Sequence, residues 1–300
     1  MRIGLSLETD GTIDDIVARA RDLAATGVSS AWSSQIFGWD TLTALAVVGR
    51  EVPGVTLGTA VVPVHPRHPT MLAAQALTVQ AATGGRLRLG IGLSHQMVVE
   101  NVWGLSFDRP ARYMEEYLSI LMPMLAGEQV SFQGDVLRAN TLGPPETEGA
   151  TPPPVLLAAL GSVMLGIAAR QTSGTITWMV GLSTLADHIV PTITSAAAAA
   201  GRPHPQVVVT LPVCVTADVD AARERAGRIF SLYGHLPSYR AMLDREGAAG
   251  PPDVAVVGTE EEVSAAISRF ADAGATEFSA AAYGAPDEIL RTYALLATLA

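Results

Sequence analysis

Short runs of β-branched and other apolar residues alternate with longer segments of helical pattern from one end of the chain to the other. Parallel α/β proteins repeat strand, helix and strand in this order, so the pattern predicts a parallel sheet with eight βα units. The predicted strands cover residues 2–7, 28–33, 55–61, 86–92, 154–159, 175–179, 207–215 and 276–280. The predicted helices begin near Thr12, Thr41, Pro69, Arg109, Ser162, Ser183, Asp218 and Pro286.

Eight units fit two topologies, a closed (β/α)8 TIM barrel and a doubly wound open sheet. Flexible residues occur where turns between helices and strands need them, at Gly27, at Thr83-Gly84-Gly85 and at Ala273-Gly274. A dinucleotide-binding open sheet would have Gly-x-Gly-x-x-Gly after its first strand, and this chain has none there. The sequence therefore favours the barrel.

Two stretches of the chain are longer than a minimal βα unit requires. Residues 127–153 contain a predicted hairpin at 130–138, and residues 228–257 extend the seventh helix. Long insertions in a compact domain are more often lids, binding loops or interfaces than idle loops. Neither stretch is evidence for a second domain, so we predict one domain over residues 1–300.

Composition excludes several classes of function. The net charge of −10 opposes nucleic-acid binding through a basic patch, and no apolar run is long enough to span a membrane. The first residues lack the order of a secretory signal, so we expect a cytoplasmic protein. Cys214 is the single cysteine, and the spacing around His65 and His68 does not suit a metal, so no metal site is predicted.

The barrel predicts where the working groups lie, because catalytic residues of this fold cluster at the C-terminal ends of the strands. All four tryptophans (Trp32, Trp39, Trp103 and Trp178) fall at such ends. They are expected either to wall a wide pocket for a flat ligand or to cap the barrel core.

Other polar candidates lie on the same face. His95 follows the fourth strand and is able to bind a ligand or move a proton near neutral pH. Gly161, Ser162 and Val163 join the fifth strand to a helix, whose free N–H groups suit a phosphate, although a simple N-cap by Ser162 explains the same residues. Arg67 could face an anion, and the carboxylates of Glu8 and Asp10 could act as a base or belong to a solvated turn.

The motifs of serine hydrolases and of P-loop nucleotide hydrolases are absent from the sequence. A barrel with a flat pocket, a phosphate turn and few reactive side chains suits a cofactor that performs the chemistry.

Several segments resemble the luciferase-like flavin and deazaflavin oxidoreductases. They are Leu57-Gly-Thr-Ala-Val-Val-Pro63, Arg67-His-Pro69 with Gln75, Thr83-Gly-Gly-Arg-Leu-Arg-Leu-Gly-Ile-Gly92, Asp108-Arg-Pro110 with Glu115-Glu-Tyr117, Ala159-Leu-Gly161 with Met164-Leu165, and Val257-Gly-Thr259 with Ala273-Gly274. Trp178-Met-Val-Gly181 and Leu236-Pro-Ser-Tyr-Arg240 are most similar to an actinobacterial group assigned to coenzyme F420, a deazaflavin.

The resemblance implies roles for individual residues. It places the deazaflavin ring against Ala60, Val61 and Val62, where the family has a bulge with a non-prolyl cis peptide. It implies that Gly92, Ser94 and His95 line the ring, and that Gly161, Ser162 and Val163 hold the cofactor phosphate. Small-molecule substrate is expected against Trp32, Trp103, Trp178, Tyr233 and His235, and family members suggest a possible homodimer.

One position departs from the family. Many members have an acidic residue and then histidine after the second strand, where this chain has Gln35 and Ile36. Alcohol oxidation with that histidine as base is therefore disfavoured. The expected reaction is hydride transfer from reduced F420 to an activated C=C or C=N bond, with His95, Gln35 or ordered water orienting or protonating the product.

Two alternatives stay open. One is an FMN-dependent monooxygenase that activates oxygen, and the other is a barrel that binds a flavin-like ligand without catalysis. Anaerobic turnover separates the two enzymes, since a deazaflavin has carbon in place of flavin N5.

Overall fold

The computed structural model describes residues 1–35 and 37–300, and Ile36 lies outside the described residues. Eight parallel strands form a closed barrel, because β10 pairs with both β9 and β12 while the remaining strands pair in sequence. The predicted (β/α)8 fold is confirmed. The barrel strands are β1 (Arg2–Ser6), β2 (Ser30–Ser33), β3 (Thr56–Thr59), β5 (Leu87–Gly92), β8 (Val155–Leu157), β9 (Gly174–Trp178), β10 (Gln206–Val215) and β12 (Glu277–Ala282). Two short strands extend the sheet, β4 (Val62–Pro63) beside β5 and β11 (Val256–Gly258) beside β10.

Each of the eight predicted helix starts lies at or within one residue of an observed start, whereas the helices that begin at Val190, Pro237, Pro251 and Glu260 were not predicted. The helices surround the barrel. They are α1 (Ile13–Ala25), α2 (Thr41–Glu51), α3 (Pro69–Ala82), α4 (Pro110–Leu125), α5 (Ser162–Gln171), α6 (Leu182–Thr184), α7 (Val190–Ala199), α8 (Val219–Ile229), α9 (Pro237–Glu246), α10 (Pro251–Val254), α11 (Glu260–Asp272) and α12 (Pro286–Leu299). No helix in the described ranges is both long enough and apolar enough to cross a membrane.

The segment before the last barrel strand differs from the prediction. It contains an additional βα unit, β11 and α11, rather than only an extended seventh helix. The start of α11 is marked by a capping box in which Thr259 and Glu262 satisfy each other's backbone N–H groups. That capping signal was available in the sequence, whereas the three-residue strand before it was too short to recognise.

The predicted hairpin is confirmed as β6 (Ser131–Gln133) and β7 (Arg138–Asn140). The buried carboxylate of Glu116 on α4 accepts hydrogen bonds from the backbone N–H groups of Asp135, Val136 and Leu137, at 2.8, 2.9 and 2.8 Å. Burial opposes ionisation, but these bonds and Arg112 outweigh it and lower the pKa of Glu116 to about 2. Glu116 therefore ties the hairpin to the barrel wall.

The N-terminal end of the barrel interior is closed by a buried charged layer. Glu277 is fully buried and bonds the guanidinium of Arg88, while its Oε1 accepts from Ser30 Oγ at 2.5 Å. Arg2 Nε lies 3.1 Å from Glu277 Oε2. Because a buried carboxylate is stable only when its oxygens are satisfied, this layer is a structural base for the barrel.

Candidate active site

Trp32 fills the barrel interior above that layer, as the floor beneath the strand ends, which corrects the expectation that it is a pocket wall. Its side chain is 1% exposed, and its Nε1 donates to Glu277 Oε1 at 2.6 Å. The Arg88 guanidinium carbon lies 4.8 Å from the centre of the indole. The side chain points down into the barrel because this is where its N–H finds an acceptor and its ring finds a cation.

Neighbouring glycines make room for the indole. A Cβ atom on Gly58 would lie 2.2 Å from Trp32 Cε3, and one on Gly4 would lie 3.1 Å from Trp32 Cδ1. Leu156, Ile176 and Val208 complete this middle layer of the barrel. The middle layer is thus one large ring surrounded by aliphatic side chains, and it is fully packed.

Small side chains line the barrel above Trp32. Ala60, Val61 and Ala158 pack against the Trp32 layer, and strand alternation directs Thr210 and Ser279 inward, since Val208 and Glu277 two residues earlier point inward. The hydroxyls of Thr210 and Ser279 are buried without a hydrogen-bond partner in the described part of the chain. Buried hydroxyls normally have a partner, so this upper layer is suited to a polar ligand edge.

The end of β3 has the backbone feature that the family resemblance implied. The peptide between Ala60 and Val61 is cis. The loop after β2 holds this bulge, because Ala60 N donates to Ser33 O at 2.7 Å and Ser34 Oγ donates to Ala60 O at 2.8 Å. Val62 continues beyond the bulge in register with Ile91 of β5. Ala60, Val61 and Val62 therefore lie beside the end of β5, as predicted for the ring-binding segment.

Gly92, Ser94 and His95 follow one another at the end of β5. A Cβ on Gly92 would lie 2.8 Å from Val61 Cγ2 and 3.2 Å from Ala158 Cβ, so glycine allows the two strand ends to approach. Ser94 has a φ of 64°, a left-handed conformation that non-glycine residues seldom adopt and that concentrates at functional sites.

His95 stands half-buried at this face. Its ring centre lies 5.6 Å from that of Tyr239, and no hydrogen bond to its ring nitrogens is found among the described residues. Burial lowers the pKa of His95, so the uncharged imidazole is favoured at neutral pH. Its nitrogen atoms are consequently available to a ligand.

The start of α5 fits a phosphate. Gly161 is the N-cap, with β-region backbone angles and no side-chain cap hydrogen bond, and Ser162 is the first helical residue. The alternative of a simple N-cap by Ser162 is therefore wrong. Gly161, Ser162 and Val163 are exposed, and the first backbone N–H groups of the ten-residue helix point toward solvent. Just before this turn, Leu160 O lies 2.8 Å from Nε2 of the buried His188.

A chain of aromatic rings extends from His95 to the end of β9. Trp178 at the end of β9 lies 5.6 Å from Tyr233, which lies 5.3 Å from Tyr239 (ring centres). We call Trp178, Tyr233, Tyr239 and His95 the aromatic wall. The sequence prediction included Tyr239 only as part of the segment Leu236–Arg240. No local sequence pattern indicates that α9 brings the Tyr239 side chain to His95. Met179, directly after Trp178, has a φ of 56°, which marks β9 like β5 as an irregular strand end.

The remaining candidates lie farther out or are engaged elsewhere. Trp103 is half-buried after the π-helical turn Val98–Val102, and His235 is exposed before α9. Both ends of the Gln35 amide bind backbone, since Oε1 accepts from Thr41 N at 2.8 Å and Nε2 donates to Trp39 O at 3.2 Å. The expected proton-transfer role of Gln35 is thereby corrected to one of holding the β2–α2 loop.

Arg67 also has a protein partner, because its guanidinium pairs with Asp40 of the β2–α2 loop. His65 stacks on Tyr113 with ring centres 4.5 Å apart, and Leu93 O lies 2.9 Å from its Nδ1. No group of three or more His, Cys, Asp or Glu suited to a metal occurs in residues 1–35 and 37–300.

Comparisons with known proteins match this geometry. A family model described as luciferase-like monooxygenase matches residues 1–289. The F420-dependent hydroxymycolic acid dehydrogenase of Mycobacterium tuberculosis is 25% identical over 289 residues, covering 88% of this chain and 78% of that protein. The coenzyme F420-dependent tetrahydromethanopterin reductase of Methanopyrus kandleri superposes with a TM-score of 0.83 at 19% identity, over 99% of this chain and 97% of that one.

A third similar structure contains a flavin. The oxygenating constituent of the 3,6-diketocamphane monooxygenase of Pseudomonas putida, in complex with FMN, superposes with a TM-score of 0.77 at 16% identity, over 99% of this chain and 97% of that one. The same barrel is thus found in proteins described with either cofactor.

Proposed function

This chain belongs to the luciferase-like monooxygenase family, and from that premise we propose that it is a coenzyme F420-dependent reductase acting on an activated C=C or C=N bond of a small organic molecule. One observation carries the proposal. The uncapped start of α5 adjoins a barrel interior whose upper layer has small side chains and two unpartnered hydroxyls. Relatives described as F420-dependent support the choice of cofactor.

The residues present fit a deazaflavin. Ala60, Val61 and Val62, with Gly92 and Ser94, offer backbone and small side chains to a flat ring. The hydroxyls of Thr210 and Ser279 suit the polar edge of such a ring, which carries hydrogen-bonding groups. Gly161, Ser162 and Val163 would hold the phosphate through backbone N–H groups and the positive end of the helix.

A reduced deazaflavin, when bound, supplies a hydride. The chain's own residues orient the acceptor and provide a proton. His95 is the proposed donor, because its ring nitrogens have no partner among the described residues. As an uncharged imidazole it gives up its N–H to the product while its other ring nitrogen takes a proton from water, so that the ring ends uncharged. The half-buried rings of Tyr239 and Tyr233 shield one side of His95 from water.

Parallel titration of the purified protein with oxidised F420 and with FMN tests the choice of cofactor. We expect F420 to bind at least tenfold more tightly, measured by fluorescence anisotropy of each cofactor. Anaerobic oxidation of reduced F420 in the presence of cyclohexenone is then expected. Tighter binding of FMN, with oxygen consumption, would instead support the flavin monooxygenase alternative and contradict the proposal.

A His95→Phe variant tests the proton donor. Phenylalanine retains a ring beside Tyr239 but removes both nitrogens, so we expect kcat for cyclohexenone to fall about 100-fold or more. The matched control is His95→Gln, whose amide still donates a hydrogen bond and should recover part of the rate. Equal kcat for the wild type and the Phe variant would remove His95 from this role.

A further inference from the structure

The aromatic wall is continuous and comes from three separate parts of the chain. His95 follows β5, Trp178 ends β9, and Tyr233 and Tyr239 lie in the insertion between β10 and β11. Phe230 supports the wall from behind, 5.8 Å from Trp178 and 5.5 Å from Tyr283 between ring centres. Edge-to-face contacts of this kind hold the rings in place, so the surface they present is rigid.

The wall carries no charge at neutral pH. Burial raises the pKa of Tyr233 and of Tyr239, so both hydroxyls stay protonated. Burial lowers the pKa of His95, so its imidazole stays uncharged. A ligand against these rings meets hydrogen-bonding groups but no ion.

Three charged side chains on the adjoining helices are engaged elsewhere. Arg240 on α9 donates to Ala248 O at 2.7 Å and to Ala249 O at 2.9 Å, and it pairs with Asp244. Glu246 accepts from Ser183 N at 3.0 Å and from Thr184 N at 2.7 Å. Arg228 on α8 pairs with Glu224 one turn away. All three charged groups already have protein partners, so they are not available to pair with a charged substrate.

Apolar side chains continue from the wall to solvent. The contact of His95 with Tyr239 brings the loop after β5 against the first turn of α9. On that loop Met97 is 52% and Val102 57% exposed, and next to Tyr233 Leu232 is 56% exposed. Exposed apolar groups at the mouth of a pocket commonly mark the path of an apolar ligand.

We infer that the substrate is a neutral and largely apolar molecule, such as a cyclic enone, whose polar contact is a single carbonyl-type acceptor, and that carboxylated or phosphorylated molecules are excluded. The inference rests on the proposed reductase function and narrows it to a substrate class. Its physical basis is that an anion would lose hydration against the wall without gaining a cation.

A matched pair of substrates tests the inference. We expect kcat/KM with reduced F420 to be roughly 100-fold higher for cyclohexenone than for the same ring bearing a carboxylate, since burial of an unpaired charge is strongly unfavourable. An alkyl chain added to the neutral ring should raise kcat/KM further through contact with Met97, Val102 and Leu232. Equal or faster turnover of the carboxylate would overturn the inference.

Tyr233→Arg supplies the missing cation, and Tyr233→Phe is its matched control. The arginine variant should reduce the preference for the neutral ring by tenfold or more, while the phenylalanine variant should keep it, because it retains the ring and adds no charge. An unchanged preference in the arginine variant would contradict the inference, provided that its circular dichroism and F420 affinity match the wild type.

A binding measurement separates this inference from the cofactor proposal. Quenching of tryptophan fluorescence by cyclohexanone and by its carboxylate reports on the wall through Trp178 and needs no turnover. Tighter binding of the neutral ketone supports the inference whichever cofactor the protein uses, and tighter binding of the carboxylate contradicts it. Failure to bind F420 overturns only the cofactor proposal.

Discussion

Replacement of Trp32 by alanine is expected to lower the free energy of unfolding by about 3–5 kcal/mol, the range found when a fully buried Trp or Phe is truncated. The indole fills the middle layer of the barrel between Gly58 and Gly4, so its loss leaves a large cavity. It also removes the Nε1 donor from Glu277 and the ring from Arg88, and both ions stay buried. Urea denaturation followed by circular dichroism measures the change.

Trp39→Ala is the matched control. Trp39 is 48% exposed and its Nε1 makes one hydrogen bond, to Gly11 O at 2.8 Å. We therefore expect the Trp39→Ala variant to lower the free energy of unfolding by about 1 kcal/mol. Similar decreases in the free energy of unfolding for Trp32→Ala and Trp39→Ala would contradict the placement of Trp32 in the middle layer of the barrel. Trp32→Phe should fall between them, since a smaller ring fills part of the layer without an N–H.

Ser162→Glu is expected to weaken F420 binding at least tenfold while leaving the protein as stable as the wild type. A carboxylate at the first helical residue of α5 repels the cofactor phosphate, at a cost of about 1–3 kcal/mol for like charges at this partly exposed position. The same carboxylate interacts favourably with the N-terminus of the helix, so thermal stability should not fall. Fluorescence anisotropy of F420 and thermal denaturation give the two readouts.

The control is Ser162→Gln, which has nearly the same size without the charge. We expect the glutamine variant to bind F420 more tightly than the glutamate variant, and the difference to shrink as salt concentration rises, because salt screens exposed charges. If the two variants bind equally at low salt, the phosphate does not lie at the start of α5.

The differences between prediction and structure arise from contacts that are distant in sequence. The pattern around Trp32 indicates a strand and its C-terminal end, but the acceptor of its N–H is Glu277, 245 residues away. Gln35 follows the same strand, yet its amide is engaged by the loop and by Thr41 N. At the phosphate turn, the local pattern left open a phosphate site or a simple N-cap by Ser162, and backbone geometry places the N-cap at Gly161 instead.

Local signals in the sequence by themselves determined the alternation of strands and helices, the barrel and the face expected to carry the site. The ring-binding segments at Ala60–Val62 and Gly92–His95 came from the family resemblance and stay predictions, as does the phosphate turn at Gly161–Val163. The alternation of apolar and polar residues, helix caps and glycine turns each depend on a few neighbouring residues. They can therefore be recognised from a single sequence. Only the tertiary structure decided that Trp32 is buried in the barrel interior, that the hydroxyls of Thr210 and Ser279 lack partners above it, and that Tyr239 meets His95. These depend on which side chains meet across a closed barrel, and its closure brings together residues from eight separate strands.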